Sequence, residues 1–305
     1  MNVVVVGGAG FIGSHLVDRH LAEGHAVDVV DDLSTGSLAN LADARATSAA
    51  GASLKIHHLD ALSDEADSLF GMRRPDVVYQ LALFDRSDPS PRAQGRGFDV
   101  ALATMEAARR HGVTKVVAAI PATALYGQPA SSALPVKEGD IVPRGVRGVV
   151  ARAVVDLMAT YRERDMIEFT ALAFSTVYGP RQRPDGGVVA ALAAAAAAGD
   201  APRFDGDGRQ SRDLLFVDDA VDALFRAGER GSGLVINVGT GEQTTIRELW
   251  TAISGGAGPE PVHGSPRSDD LPRFAVSPVR ARIHLGWSPW TDLATGLARL
   301  RGRQD

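Results

Sequence analysis

Val3-Val4-Val5-Val6-Gly7-Gly8-Ala9-Gly10-Phe11-Ile12-Gly13 joins a run of four valines to a glycine loop and to the first turn of a helix. Glycine lets a backbone approach a pyrophosphate closely, and the N-terminus of a following helix stabilises the charge of that group. The glycines fit both the G-x-G-x-x-G spacing (Gly8, Gly10, Gly13) and the wider G-x-x-G-x-x-G spacing (Gly7, Gly10, Gly13). The stretch therefore predicts a dinucleotide site that includes Gly7, Gly10, Phe11, Ile12 and Gly13.

Acidic residues after the next strands support this site. Asp31 ends the second predicted strand, where a carboxylate can accept hydrogen bonds from an adenosine ribose. Asp31 and the adjacent Asp32 would repel a 2′-phosphate, so NAD is predicted rather than NADP. Asp60, just past the third strand, is predicted to meet the adenine, and Leu81 completes the predicted cofactor-binding set. In the alternative interpretation the glycines only allow a tight turn, but a turn alone would not need the helix and Asp31.

Short β-branched runs alternate with amphipathic stretches through the first half of the chain, as a parallel sheet with crossover helices requires. The predicted strands are Asn2–Val6, Ala26–Val30, Leu54–His58, Val77–Leu81, Lys115–Ala119 and Phe169–Ala173. The predicted helices are Phe11–Glu23, Phe98–His111 and Val149–Arg164. After about Thr176 the sequence becomes rich in turns. We predict an α/β, Rossmann-like doubly wound parallel sheet in residues 1–175, with a returning helix near 217–229, and a smaller α/β substrate-binding lobe in residues 176–305.

Composition excludes several classes of protein. At 305 residues, 45% of them hydrophobic, the chain can bury a large core. A net charge of -5 gives no positive field for a phosphate backbone, so no nucleic-acid partner is expected. The longest apolar run, Val188–Ala198, is shorter than the roughly 20 residues of a membrane helix, so no membrane partner is expected either. There is no cysteine and the histidines lack metal-ligand spacing, so we expect no metal site. Met1 leads directly into a strand, so we expect a cytoplasmic protein.

Motifs spread along nearly the whole chain resemble those of the extended short-chain dehydrogenase/reductase family. They are Gly7–Gly13, Asp31–Gly36, Val177–Arg181, Gly206–Asp213 and Asn237–Gly241. The sequence is most similar to the nucleotide-sugar epimerases and dehydratases of that family, the type that includes UDP-glucose 4-epimerase. The resemblance implies NAD as cofactor and a nucleotide sugar, a UDP-sugar foremost, as small-molecule partner. It also implies a homodimer formed through the helices that match Phe98–His111 and Val149–Arg164.

The resemblance also assigns a substrate site in the second lobe. In the family, arginines at the positions of Arg212 and Arg267 bind the diphosphate of the nucleotide sugar, a task that suits two guanidinium groups. Asp270 matches the last residue of the family's Arg-x-Gly-Asp motif, although Asp269 replaces the glycine. Thr176 stands where the family has asparagine and keeps a hydroxyl without the amide's paired donor and acceptor. The alternative for each arginine is a solvated surface charge.

The catalytic residues of the family are missing. A Ser or Thr, a Tyr and a Lys four residues later would fall on Ala122, Arg147 and Ala151, and no Tyr-x-x-x-Lys occurs anywhere in the chain. Arg147 has no acceptor and its guanidinium stays protonated, so it cannot act as a base. Alanine transfers no proton. Ordinary epimerisation is therefore expected to be severely impaired, since such acid–base help is worth about 10²–10⁴ in rate.

Replacement groups are few. Thr123 lies beside the missing hydroxyl, Tyr126 is nearby in sequence, and Asp85 belongs to the loop after the fourth strand, whose simplest interpretation is a solvated polar loop. Two hypotheses follow. In the first, the protein binds NAD and a nucleotide-sugar-like ligand and uses an altered proton-transfer group. In the second, it is a non-catalytic NAD-binding pseudoenzyme that acts as a sensor or as the partner subunit of an active relative.

Overall fold

The computed structural model describes residues 1–46, 52–84, 88, 90–139, 141–266 and 271–302. Its strands are β1 Asn2–Val6, β2 Ala26–Asp31, β3 Ser53–His58, β4 Val77–Gln80, β5 Lys115–Pro121, β6 Glu168–Phe174, β7 Thr176–Tyr178, β8 Arg203–Asp205, β9 Ser211–Arg212, β10 Leu214–Phe216, β11 Leu234–Val238, β12 Thr244–Thr245 and β13 Val262–Gly264. Its α-helices are α1 Phe11–Ala22, α2 Ala42–Ala46, α3 Asp64–Arg73, α4 Pro91–His111, α5 Ala122–Tyr126, α6 Gly145–Asp165, α7 Val188–Ala198, α8 Val217–Ala227, α9 Ile246–Ser254, α10 Val279–Leu285 and α11 Leu293–Arg301.

A parallel sheet in the order β11-β6-β5-β4-β1-β2-β3 forms the centre of the fold. The valines of β1 show why it is covered on both faces, because successive side chains of a strand point to opposite sides. Val3 and Val5 join the hydrophobic core that contains α1 and α8. Val4 and Val6 join the core that contains α3, α4 and α6. The predicted doubly wound α/β fold is confirmed.

The strand order reverses between β1 and β4, because the chain winds outward from β1 through β2 and β3 and then returns to the other side of β1. At such a switch point the connections leave in opposite directions and open a crevice at the carboxyl ends of the strands. The loop Gly7–Gly10 follows β1 into this crevice. The topology therefore places the glycine loop at the crevice where ligands of doubly wound folds bind.

Several elements differ from the sequence prediction. Helix α6 begins at Gly145 rather than Val149, and β5 extends to Pro121 rather than Ala119. Helix α4 begins at Pro91 rather than Phe98, with Ser90 as N-cap residue whose Oγ accepts from the backbone N–H of Ala93 at 3.3 Å. The returning helix is present as α8, but β11 also returns and pairs with β6 at the edge of the sheet. The boundary between the two predicted lobes at residues 175 and 176 stays a prediction. The central sheet includes β11, which lies after that boundary in the chain.

A buried carboxylate organises the smaller strands after β6. Asp213, between β9 and β10, is 1% exposed. Its Oδ1 accepts from the N–H and the hydroxyl of Thr240, and its Oδ2 accepts from the N–H groups of Gly241 and Val276. The motif Asn237–Gly241 is thereby fixed against β9, the strand that carries Arg212. Within the described ranges, no helix is long and apolar enough to cross a membrane, and no cluster of three potential metal ligands occurs.

Candidate cofactor and substrate site

A cavity of about 500 Å³ lies at the carboxyl ends of β1, β2 and β4. This volume is in the range of small-molecule and cofactor sites. Most of the predicted cofactor-binding residues line it: Gly7, Gly10, Phe11, Ile12, Gly13, Asp31, Asp32 and Leu81. The structure therefore brings the glycine loop and the acidic end of β2 together around one space.

The glycine loop leaves no room for side chains. Gly7 has φ +82°, a left-handed conformation that favours glycine, and a Cβ there would lie 3.0 Å from the backbone nitrogen of Ala82. A Cβ on Gly13 would overlap the carbonyl oxygen of Gly7. Gly10 is the N-cap residue of α1 and has no side chain that could cap the N–H groups of the first turn. The residues of that turn line the cavity. This cradle fits the diphosphate of a dinucleotide.

Asp31 is held rigidly at the end of β2. Its Oδ2 accepts from the N–H of Ala9 at 2.8 Å, its Oδ1 accepts from the N–H of Leu33 at 2.9 Å, and the residue is 8% exposed. Burial raises the pKa of the Asp31 carboxyl, while the two backbone hydrogen bonds oppose that shift. Each oxygen keeps a further lone pair, which suits the ribose hydroxyls of an adenosine.

Asp60 is engaged by an arginine that the sequence interpretation missed. Arg96 of α4 lines the cavity, and its Nη2 lies 2.7 Å from Asp60 Oδ1 and 3.8 Å from Asp32 Oδ2. The hydrogen bond from Arg96 is the main reason that the pKa of Asp60 is lowered. Leu59 and Ala61 line the cavity on either side of Asp60. The predicted contact of Asp60 with adenine stays a prediction.

The segment after β7 forms another wall of the cavity. It contributes Arg181, Gln182, Arg183, Asp185 and Gly186. The Arg181 side chain is only 11% exposed and forms ion pairs with Asp18 of α1 at 2.7 Å and with Asp43 of α2 at 2.8 Å. These contacts attach the segment to the helices beside the glycine loop.

The three positions that the resemblance aligns with the family's catalytic Ser, Tyr and Lys lie on α5 and α6. Ala122 begins α5, directly after β5, and Ala151 lies one helical turn after Arg147 in α6. Both alanines are 0% exposed. The guanidinium carbon of Arg147 lies 5.6 Å from the centre of the Phe84 ring, and Phe84 lines the cavity. Of the described residues that surround the cavity, none is Ala122, Arg147 or Ala151.

Tyr126 is a poor proton acceptor in this environment. Its buried hydroxyl donates to Asn237 Oδ1 at 2.7 Å, and Asn237 in turn donates to the carbonyl oxygen of Val136 at 2.9 Å. Burial raises the pKa of the Tyr126 phenol above its ordinary value, so its ionised form is disfavoured. Thr123 is partly exposed on α5. Asp85 lies outside the described residues.

The predicted substrate residues are only partly covered by the structure. Arg212 Nη1 donates to the carbonyl oxygens of Ser211 and Leu271, each at 2.7 Å. Thr176 begins β7, and its N–H donates to the carbonyl oxygen of Asp213 at 2.9 Å. Arg267 and Asp270 lie outside the described residues. A role of these four residues in diphosphate binding stays a prediction.

The sequence profile of the NAD dependent epimerase/dehydratase family matches residues 3–239. The chain belongs to this family. A UDP-glucose 4-epimerase of Mycolicibacterium smegmatis is 39% identical in an alignment of 312 positions, gaps included. The alignment covers 98% of this chain and 97% of that protein.

Solved structures of the epimerase/dehydratase family superpose closely on the chain. The UDP-glucose 4-epimerase of Thermotoga maritima, solved with UDP-glucose, gives a TM-score of 0.93 at 30% identity and covers 100% of both chains. The UDP-glucose 4-epimerase of Thermus thermophilus, solved with NAD, gives a TM-score of 0.85 at 30% identity, covering 98% of this chain and 97% of that one. The family is NAD dependent, and the NAD prediction is confirmed.

Proposed function

We propose that the protein binds NAD and a nucleotide sugar, a UDP-sugar foremost, and that any turnover uses a proton-transfer group other than the usual Ser, Tyr and Lys. The observation that carries this proposal is that Ala122, Arg147 and Ala151 stand at the catalytic positions of the family, while the glycine loop and Asp31 still line the cofactor cavity. The cradle, Asp31 and the UDP-glucose bound by a relative support ligand binding. Arginine and alanine cannot supply a base.

A second candidate is a non-catalytic NAD-binding pseudoenzyme that acts as a sensor or as the partner subunit of an active relative. The environment of Tyr126 favours it, because the hydroxyl is already bonded to Asn237 and the phenol is hard to ionise. The two carboxylates at the end of β2, Asp31 and Asp32, belong to the predicted adenosine end and not to the sugar. The carboxylate of Asp185, which also lines the cavity, is held in an ion pair with Arg183 at 2.8 Å. These contacts count against the three carboxylates as a replacement base.

Turnover separates the two candidates. Purified protein is incubated with NAD and a panel of UDP- and dTDP-sugars, and products are identified by mass spectrometry and NMR. Epimerised or dehydrated product whose rate changes in an Arg147→Ala variant supports altered chemistry and excludes the pseudoenzyme. Binding of NAD and a nucleotide sugar by calorimetry without any product supports the pseudoenzyme. Absence of NAD binding would refute both.

Restoring the missing residues tests how far the site has diverged. The triple variant Ala122→Ser, Arg147→Tyr and Ala151→Lys replaces all three positions. Because both alanines are fully buried, the lysine in particular needs local repacking, so circular dichroism and melting must first show a folded protein. Epimerase activity in the folded variant would show that only the acid–base groups were lost. A folded but inactive variant would show that the sugar pocket has changed as well.

We also propose that the protein is a homodimer that uses α4 and α6. Leu102 on α4 and Val146 and Val149 on α6 are exposed apolar residues, and the Tyr161 hydroxyl of α6 donates to Glu106 of α4, which ties the two helices together. Exposed apolar side chains on adjacent helices are typical of a self-complementary interface. Light scattering tests this directly, and a monomer at micromolar concentration would refute it. Cytoplasmic localisation stays a prediction from the sequence.

A further inference from the structure

Helix α4 presents one face to the cofactor cavity. Ala93, Arg96, Gly97 and Val100 line the cavity, and their spacing of three, four and seven residues places them on one side of the helix. Gly97 explains how the helix can lie so close, because a Cβ there would overlap the carbonyl oxygen of Leu83. Arg96, one residue earlier, is the charged side chain on this face.

Arg96 is directed at the carboxyl ends of β2 and β3. Its Nη2 lies 2.7 Å from Asp60 Oδ1 and 3.8 Å from Asp32 Oδ2. Asp32 Oδ1 also accepts from the N–H and the hydroxyl of Ser34. The hydrogen bond with Asp60 raises the pKa of Arg96 still further, so the guanidinium is a permanent cation beside these two carboxylates.

Asp31 differs from these two carboxylates in its partners. Its hydrogen-bond donors are two neutral backbone N–H groups, those of Ala9 and Leu33. Among Asp31, Asp32 and Asp60, the cation of Arg96 is therefore paired with the last two. Asp31 is the carboxylate that can reject a 2′-phosphate, because the N–H groups of Ala9 and Leu33 that donate to it are uncharged and do not compensate its charge.

We propose that Arg96 is a cofactor-positioning residue that sets the electrostatics of the adenosine end of the cavity. By compensating Asp32 and Asp60, it leaves Asp31 as the group that selects NAD over NADP. When Asp31 is neutralised, Arg96 becomes a ligand for the 2′-phosphate, since its guanidinium carries five N–H donors and the contacts to the carboxylates use a single nitrogen. The inference rests on the proposed binding of NAD in this cavity.

Calorimetric titration of the full chain with NAD⁺, NADP⁺, ADP-ribose and nicotinamide mononucleotide tests the proposal. The variants are Arg96→Gln, Asp31→Asn and the double variant. Arg109→Gln is the matched control, because Arg109 lies further along α4, has the same 44% side-chain exposure and forms an ion pair with Glu106. Melting temperatures confirm that each variant is folded.

Arg96→Gln is expected to weaken the binding of NAD⁺ and ADP-ribose by the same factor, about fivefold, and to leave the binding of nicotinamide mononucleotide unchanged. The reason is that Asp32 and Asp60 would then face the ligand uncompensated, and the effect should shrink at high salt. Asp31→Asn is expected to strengthen NADP⁺ relative to NAD⁺ by about tenfold, and the double variant is expected to lose that gain. Arg109→Gln should match the wild type.

Several results would overturn the proposal. One is equal NAD⁺ affinity in Arg96→Gln and wild type. Another is a double variant that binds NADP⁺ as tightly as Asp31→Asn. If Asp31→Asn does not fold, the binding of ADP-ribose and nicotinamide mononucleotide to Arg96→Gln still tests the proposal. An equal loss of affinity for both ligands would show that Arg96 does not act at the adenosine end. Failure of the wild type to bind NAD⁺ at all would instead refute the proposed function, and the role of Arg96 with it.

Discussion

His20 should make the protein less stable in mild acid. The ring is 0% exposed, its Nδ1 lies 2.9 Å from Nδ1 of His25, and the Tyr79 and Phe225 rings each lie 5.0 Å away. Burial lowers the pKa of His20 to about 3, against 6.5 for the ordinary side chain. Between these two values the unfolded chain binds the proton that the folded protein excludes. The free energy of unfolding is therefore unaffected by this proton above pH 6.5. Below pH 6.5 it decreases by about 1.4 kcal/mol per pH unit.

A His20→Phe variant removes this titration and keeps an aromatic ring in the same packing. Urea unfolding followed by circular dichroism, at intervals from pH 7.5 to 4.5, gives the free energy of unfolding of both proteins. From pH 6.5 to 4.5 the wild type should lose about 2–3 kcal/mol more than the variant. His284→Gln is the control, because it removes an exposed histidine and leaves the buried His20 in place. Parallel curves for wild type and His20→Phe would refute the reasoning.

Three further changes test the site. Gly13→Ala should abolish NAD binding in calorimetry, because the new Cβ would overlap Gly7. Gly95→Ala on α4 is the control, since its Cβ would meet open space and the variant should bind NAD normally. Tight NAD binding by Gly13→Ala would contradict the proposed cradle. Tyr126→Phe should lower the free energy of unfolding by about 1 kcal/mol without affecting the cofactor. A loss of turnover by about 100-fold would instead identify the phenol as an acid–base group. Asp213→Ala should destabilise the protein by about 3 kcal/mol or more in urea, because buried N–H donors lose their acceptor; a change below about 1 kcal/mol would contradict its role.

Local patterns predicted the first half of the fold well. The valine run, the glycine loop and the following helix are contiguous, so β1 and α1 agree with the prediction to within a residue. The prediction missed β11, because Leu234–Val238 is short and comes after the turn-rich lobe, and only its pairing with β6 makes it part of the sheet. Which distant segments pair is decided by packing that periodicity does not encode.

The site shows the same limit. The residues of the glycine loop and Asp31 were predictable because they follow consecutive strands. Arg96 was missed because it precedes Phe98, where the predicted helix begins, and the low helix propensity of Gly95 and Gly97 on either side weakens the helical pattern there. Tyr126 depends on Asn237, which is 111 residues away in sequence, so its buried hydrogen bond could not be inferred from local residues. The positions Ala122, Arg147 and Ala151 came from motif spacing alone and depend on the resemblance.

The return of β11 to the sheet limits how the chain can be divided. A fragment that ends at residue 175 would leave β6 as an unpaired edge, and Ala171, Leu172 and Ala173 of that strand are fully buried in the intact protein. Apolar strands with free backbone donors and acceptors pair readily with other copies. Expression of the N-terminal half for ligand screening should therefore yield aggregates unless residues 217–238 are supplied, either in the same chain or as a complementing peptide. Circular permutants that preserve the β6–β11 pairing are the better starting point for splitting this protein.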